Sequence, residues 1–191
     1  MSIPQPSKEE VEKYLIKWTT LENYVLQEKS LDKLFFDVLP ENKEIEDILI
    51  KCSTLNDFYS TNIFSIYPVA KHIHSLNIDD KLKQGDLTLI DDIKNIKGIN
   101  RKFYSFASKY CSHHDPYTYS IYDSYVEKVL MHFKRKDKFA DFKKVDLKDY
   151  LKFHEVLMKF IEFYNLEEFN IKQIDQYLWQ IGKKNFKRKY Y

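Results

Sequence analysis

Glycine is scarce in this chain: in 191 residues there are only Gly85, Gly98 and Gly182. The glycine-rich phosphate loops of Walker or Rossmann type, which need several glycines within a few positions, are therefore excluded. Cysteine is scarcer still, with Cys52 and Cys111 alone. Two thiols cannot supply the four ligands of an iron–sulfur cluster or of an all-cysteine zinc site. Both fall in helical patterns, where buried reduced thiols are expected. No stretch approaches the roughly 20 consecutive apolar residues that a membrane span requires. The segment Met1–Lys8 is polar and lacks the apolar core of a secretory leader, so a cytoplasmic location is the expectation.

Aromatic and helix-forming residues are abundant instead. The chain is 43% hydrophobic and 16% aromatic, enough to bury a sizeable core. Apolar residues recur at three- and four-residue steps almost throughout. Ser7 and Glu10 read as a capping box opening a first helix, whose stripe is Val11, Tyr14, Leu15, Trp18, Leu21 and Val25. Further helices are expected at Leu31–Leu39, from Ile45 to near Leu55-Asn56-Asp57, at Ile63–Leu76 (with Pro68 kinking it or sitting in its first turn), Val126–Phe133, Val145–Tyr164 and Ile171–Ile181. Alternating patterns are rare, and Tyr117–Tyr122 reads better as a loop than as a strand. The expectation is an all-α fold of about nine or ten helices in one compact unit, residues 1–191. The polar, glycine-ended stretch Asn77–Gly85 marks the place where two lobes would part.

The net charge of +2 conceals an uneven distribution. The C-terminal run contains Lys183, Lys184, Lys187, Arg188 and Lys189 and no acid, while Lys134–Lys144 holds six cations against Asp137 and Asp141. The remainder is net acidic. Two basic segments on an acidic body suggest one surface for a polyanion, although solvated helix ends would give the same pattern.

The densest signal is Ile93–Val126. A helix ending at Ile96 is followed by a tight turn, Lys97-Gly98-Ile99-Asn100, and a second helix opening at Arg101-Lys102. A loop containing Pro116 then delivers Asp123 to the start of a further helix. Lys102 and Lys109 lie seven residues apart and are expected on one face of the second helix, with Phe106 and His113 between and beyond them. A lysine among apolar and aromatic neighbours can have its pKa lowered into the nucleophilic range, although most helical lysines are solvated or hold phosphate. Asp123 is a natural N-cap. His113-His114-Asp115 does not make a metal site, because adjacent helical histidines point apart and no third ligand is suitably spaced. No metal or cofactor is expected.

The order of helix, Gly98 turn, helix, loop and helix-starting Asp123 resembles the active-site half of the helix-hairpin-helix DNA glycosylases. The match is most specific over Gly98–Val126 and looks most like the compact bacterial proteins of oxoguanine-glycosylase fold. In that superfamily the hairpin amides and the following helix start hold DNA phosphate without reading sequence, which assigns Gly98, Asn100 and Arg101 to DNA binding. Asn100 stands where the family has a second glycine, and asparagine tolerates the left-handed conformation that such a turn needs. The resemblance implies that Lys102, by register, or Lys109 attacks the sugar C1′ of a flipped nucleotide. It further implies that Asp123 stabilises the oxocarbenium-like state or activates the nucleophile. Leu55–Asn62 falls where the family lines its base pocket, which makes Asn56 and Tyr59 pocket candidates. The expected function is excision of a damaged or modified base from DNA by a monomer. The alternatives are a non-catalytic helical module that binds DNA or a nucleotide through the same turn, and an interaction protein acting through its basic tail.

Overall fold

The computed structural model describes residues 3–186. Every regular element in that range is helical: ten α-helices, one six-residue π-helical turn and one short 3₁₀ turn. In order these are α1 (Lys8–Thr19), α2 (Glu22–Asp32), the π turn Lys33–Val38, α3 (Ile45–Tyr59), α4 (Ile66–Leu76), α5 (Asp79–Lys83), α6 (Leu89–Lys94), α7 (Tyr104–His114), α8 (Ser124–Asp137), the 3₁₀ turn Lys144–Lys148, α9 (Tyr150–Phe163) and α10 (Ile171–Asn185).

The chain groups into two compact units. A central unit comprises Glu22–Ile121, and a terminal unit comprises the described residues of Met1–Leu21 and Tyr122–Tyr191. The divisions fall at Leu21/Glu22 and Ile121/Tyr122, not at Asn77–Gly85. That polar stretch is threaded into the central unit: Ile78 and Leu82 are buried, and the Asp79 carboxylate bonds to Asn42.

Several boundaries differ from the sequence reading. The first apolar stripe is broken at Thr20-Leu21, where the Thr20 hydroxyl and amide both return to Lys17 O and close α1. Val25 therefore belongs to α2. Leu31–Leu39 is not a separate α-helix but the end of α2 running into the π turn. α6 stops at Lys94, two residues early, and α7 opens only at Tyr104. Val145–Tyr164 is divided at Asp149, whose extended backbone and side-chain bond to Lys152 N (3.1 Å) start α9 afresh.

In the central unit, α3 packs along α4 and α6 along α7. Its core holds Phe35, Ile48, Cys52, Leu55, Val69, Ile73, Ile90, Ile93, Ala107, Tyr110 and Cys111, all 2% exposed or less. In the terminal unit α10 lies between α1 and α8. Gly182 makes that packing possible, since a Cβ there would lie 2.5 Å from the Tyr125 Cβ and 2.9 Å from its carbonyl oxygen. Phe133, Phe139, Phe160 and Tyr164 form an aromatic cluster of tilted and edge-to-face rings in the same unit.

Candidate functional site

The connection from α6 to α7 is built around one residue that L-amino acids adopt poorly. Gly98 has φ +83° and open space on its Cβ side. The turn is closed by Ile99 N donating to Ile96 O (3.1 Å), and the whole loop by Phe103 N donating to Lys94 O (3.1 Å). Among the described residues, the amides of Gly98, Asn100 and Arg101 have no acceptor. These three exposed residues thus offer N–H donors that no protein group occupies, which suits an anion. Asn100 is not left-handed: the only positive φ in the turn is that of Gly98.

Arg101 does not stand free over the turn. Its guanidinium donates to Asn62 O (2.8 Å) and Thr61 O (3.2 Å) and lies over the Phe103 ring at 5.2 Å. It joins the α6–α7 loop to the α3–α4 loop while its charge stays exposed. Asn56 braces the same α3–α4 loop from the other side. Its Oδ1 accepts from Ile63 N and Thr61 Oγ1, and its Nδ2 donates to Ile63 O. These three bonds give Asn56 a part in shaping the loop.

Lys102 is exposed and lies before α7, so it shares no helix face with Lys109. The expected seven-residue pairing fails because the helix begins two residues too late. Lys109 is buried in the middle of α7 at 4% exposure. Its Nζ donates to Ser105 Oγ (2.6 Å), one turn earlier, and sits 5.1 Å from the centre of the Tyr59 ring. The Tyr59 hydroxyl is 2.9 Å from His113 Nε2, one turn later on α7. Ser105, Lys109 and His113 thus form a polar stripe on one face of a buried helix, with Tyr59 from the end of α3 laid against it. The sequence reading named Tyr59 and Lys109 separately, and the fold brings them together.

Asp123 belongs to the terminal unit. Its backbone is extended and its Oδ1 accepts from Tyr125 N (2.7 Å), which caps α8. Directly beside it, Tyr122 bonds to Glu127, a buried carboxylate that also pairs with Lys148 (2.7 Å) and Lys144 (3.2 Å). Burial acts to raise the Glu127 carboxyl, but bonds from Lys148, Tyr122 and Lys144 outweigh it and hold it below the usual range.

A second buried lysine was missed by sequence reasoning. Lys51 is fully buried on α3 and donates to Asn42 Oδ1 (2.7 Å), Glu41 O (2.8 Å) and Leu39 O (3.2 Å). Asn42 Oδ1 also accepts from Tyr110 (2.5 Å), while its Nδ2 donates to Asp79 (2.6 Å). The His114 Nε2 faces two donors, Asn42 Nδ2 at 3.3 Å and Lys51 Nζ at 3.4 Å, and therefore accepts from them as a neutral ring. Burial, the Lys51 charge and His113 push its pKa well below the ordinary histidine value, in agreement. Burial also lowers Lys51 itself, to about 8. The available signal was its register: Lys51 interrupts the Ile48, Cys52, Leu55 stripe of α3. This network pins the 39–42 loop to α3, α5 and α7.

A family model named HI_0787_N, described as an N-terminal domain, matches residues 10–118. The chain belongs to that family. The match takes in Asn56, Tyr59, Gly98, Arg101 and Lys109 and stops short of Asp123. An uncharacterized protein of Haemophilus influenzae is 48% identical over 145 residues, which cover 74% of this chain and 69% of that protein. No solved structure matches. Among the described residues, no helix is long and apolar enough to cross a membrane, and no cluster of histidine, cysteine and acidic side chains is arranged to hold a metal ion.

Proposed function

We propose that this protein binds DNA through the Gly98 turn and excises a modified base with Lys109 as nucleophile, in the manner of a monomeric DNA glycosylase. The observation that carries the reading is the pairing of two features on consecutive elements. A turn with three unsatisfied amides precedes α7, and a lysine held in a buried cage of Ser105, Tyr59 and His113 lies one and a half turns into that helix. Amides at a turn receive phosphate without reading sequence. Lysine fits a chemical role better than a phosphate-holding one here, because a buried and oriented amine is poorly placed to follow a mobile backbone.

In the proposed reaction a nucleotide is flipped out of the stack, at a cost of a few kcal/mol. After giving up a proton, the Lys109 amine forms a bond to C1′ as the N-glycosidic bond breaks; the electron pair of that bond leaves with the base, which takes up a proton. Loss of a proton from the attached nitrogen and opening of the sugar ring then gives a Schiff base. Asp123, which caps α8 in the terminal unit, is given no step in this reaction. Lys102, solvent-exposed between the turn and α7, is assigned to phosphate.

Borohydride trapping on DNA bearing abasic or modified sites tests this directly. A covalent adduct that forms with wild type and Lys102→Ala but not with Lys109→Gln supports it. Binding without an adduct from any variant would instead favour a non-catalytic module, since the Gly98 amides serve that role without a lysine.

A further inference from the structure

Phe64 is 96% exposed, more than any other large apolar residue described, and Tyr67, three positions on at the start of α4, is 56% exposed. Single apolar side chains on a surface need no explanation. What distinguishes this pair is the scaffold beneath them. The loop that presents them is pinned by three bonds from Asn56 and two from Arg101, and Ser60 and Asn62 hold left-handed backbone on either side of Thr61. Ile63, next to Phe64, is buried and anchors the chain at 5% exposure. The brace holds the backbone on the N-terminal side of Phe64 in place while its ring stands in solvent.

The brace also fixes what lies nearby. Arg101 ties the loop to the segment carrying the unsatisfied Gly98 amides. Residues 60–68 carry no charge, and residues 95–103 contain Lys97, Arg101 and Lys102 with no acid. An aromatic surface joined to a basic, amide-rich strip is the arrangement that holds unpaired nucleic acid, with bases stacked on rings and phosphates on cations and N–H groups. We infer that Phe64 and Tyr67 form a stacking platform for unpaired nucleobases, and that DNA with bases outside the duplex stack is preferred over intact duplex.

This inference rests on the DNA reading of the Gly98 turn, and one titration separates the two. Fluorescein-labelled 20-mer DNA is presented as a single strand, as a duplex and as a duplex with a three-base bulge, against wild type, Phe64→Ala/Tyr67→Ala and Lys97→Ala/Lys102→Ala. Circular dichroism checks that each variant is folded. Wild type should bind the strand and the bulge more tightly than the duplex. The double aromatic variant should lose about tenfold or more on unpaired DNA and change less than twofold on duplex, while the lysine variant weakens all three alike. Phe64→Trp should keep the preference, with its fluorescence quenched on binding. Equal wild-type affinity for the three ligands, or an aromatic variant that binds as wild type does or weakens equally on all three, overturns the platform and leaves the DNA reading standing. Absence of wild-type binding to every ligand at about 50 mM salt, where phosphate contacts are least screened, overturns both.

Discussion

Lys51 and Lys109 are both buried on helices, yet their surroundings give them different work. Lys51 directs its ammonium protons at oxygens of the 39–42 loop and at His114, so its place is structural. Lys51→Met would orphan those acceptors and should destabilise the protein by about 3 kcal/mol, read by urea denaturation. Burial holds Lys51 at about 8 in the folded chain, against roughly 10.4 when unfolded. Between those values the unfolded chain binds more protons, so this group makes wild-type stability rise with pH from about 8 to 10 and fall again on return. Lys51→Met lacks that slope, and the gap between the two proteins should widen over this window. Lys109 makes its contacts to Ser105 and the Tyr59 ring. Tyr59→Phe keeps the ring under the ammonium and removes only the hydroxyl facing His113. Trapping that is unchanged in Tyr59→Phe but lost in Tyr59→Ala would assign the ring, and not the hydroxyl, to holding the lysine. Asp123→Asn should leave stability within a few tenths of a kcal/mol, since asparagine caps as well as aspartate, whereas Asp123→Ala should lose about 1 kcal/mol, read by urea denaturation.

Elements respond to closer geometric limits. α8 and α10 approach so closely at Gly182 that no side chain fits. Gly182→Ala should cost about 1–3 kcal/mol from overpacking, and a lowered melting temperature would report it. A variant as stable as wild type would mean that the helices can part without penalty. The Gly98 turn has the reverse sensitivity: there is room for a side chain, but φ is +83°. Gly98→Val should therefore be strained by roughly 1–2 kcal/mol and should weaken DNA binding more than it lowers stability, because it distorts the amides.

For the whole molecule the relevant quantity is charge. Phosphate binding releases counterions, so DNA affinity should fall steeply with salt. Removal of residues 187–191, which lie outside the described residues, deletes Lys187, Arg188 and Lys189. If the tail engages phosphate, the slope of log K against log salt should shrink by up to about 3, near 0.9 for each phosphate no longer neutralised; an unchanged slope would remove the tail from the interface.

The helical character of the chain and most of its helices were legible locally. Three- and four-residue periodicity, Ser7 and Asp123 as caps, and Pro68 in a first turn are local rules, and the fold obeys them. The loop character of 117–122 and the single left-handed glycine at the Gly98 turn were legible for the same reason. What required tertiary structure was every pairing between distant positions. Nothing local says that Tyr59 would meet Lys109 and His113, that Arg101 would spend its guanidinium on the carbonyls of Thr61 and Asn62, or that Lys51 would be taken into the core. α7 is buried on all sides and carries little amphipathic pattern, so periodicity could not say which of its residues point where. Its start at Tyr104, which separates Lys102 from Lys109, was decided by the Phe103–Lys94 backbone bond, a closure across nine residues that leaves no trace in the local sequence.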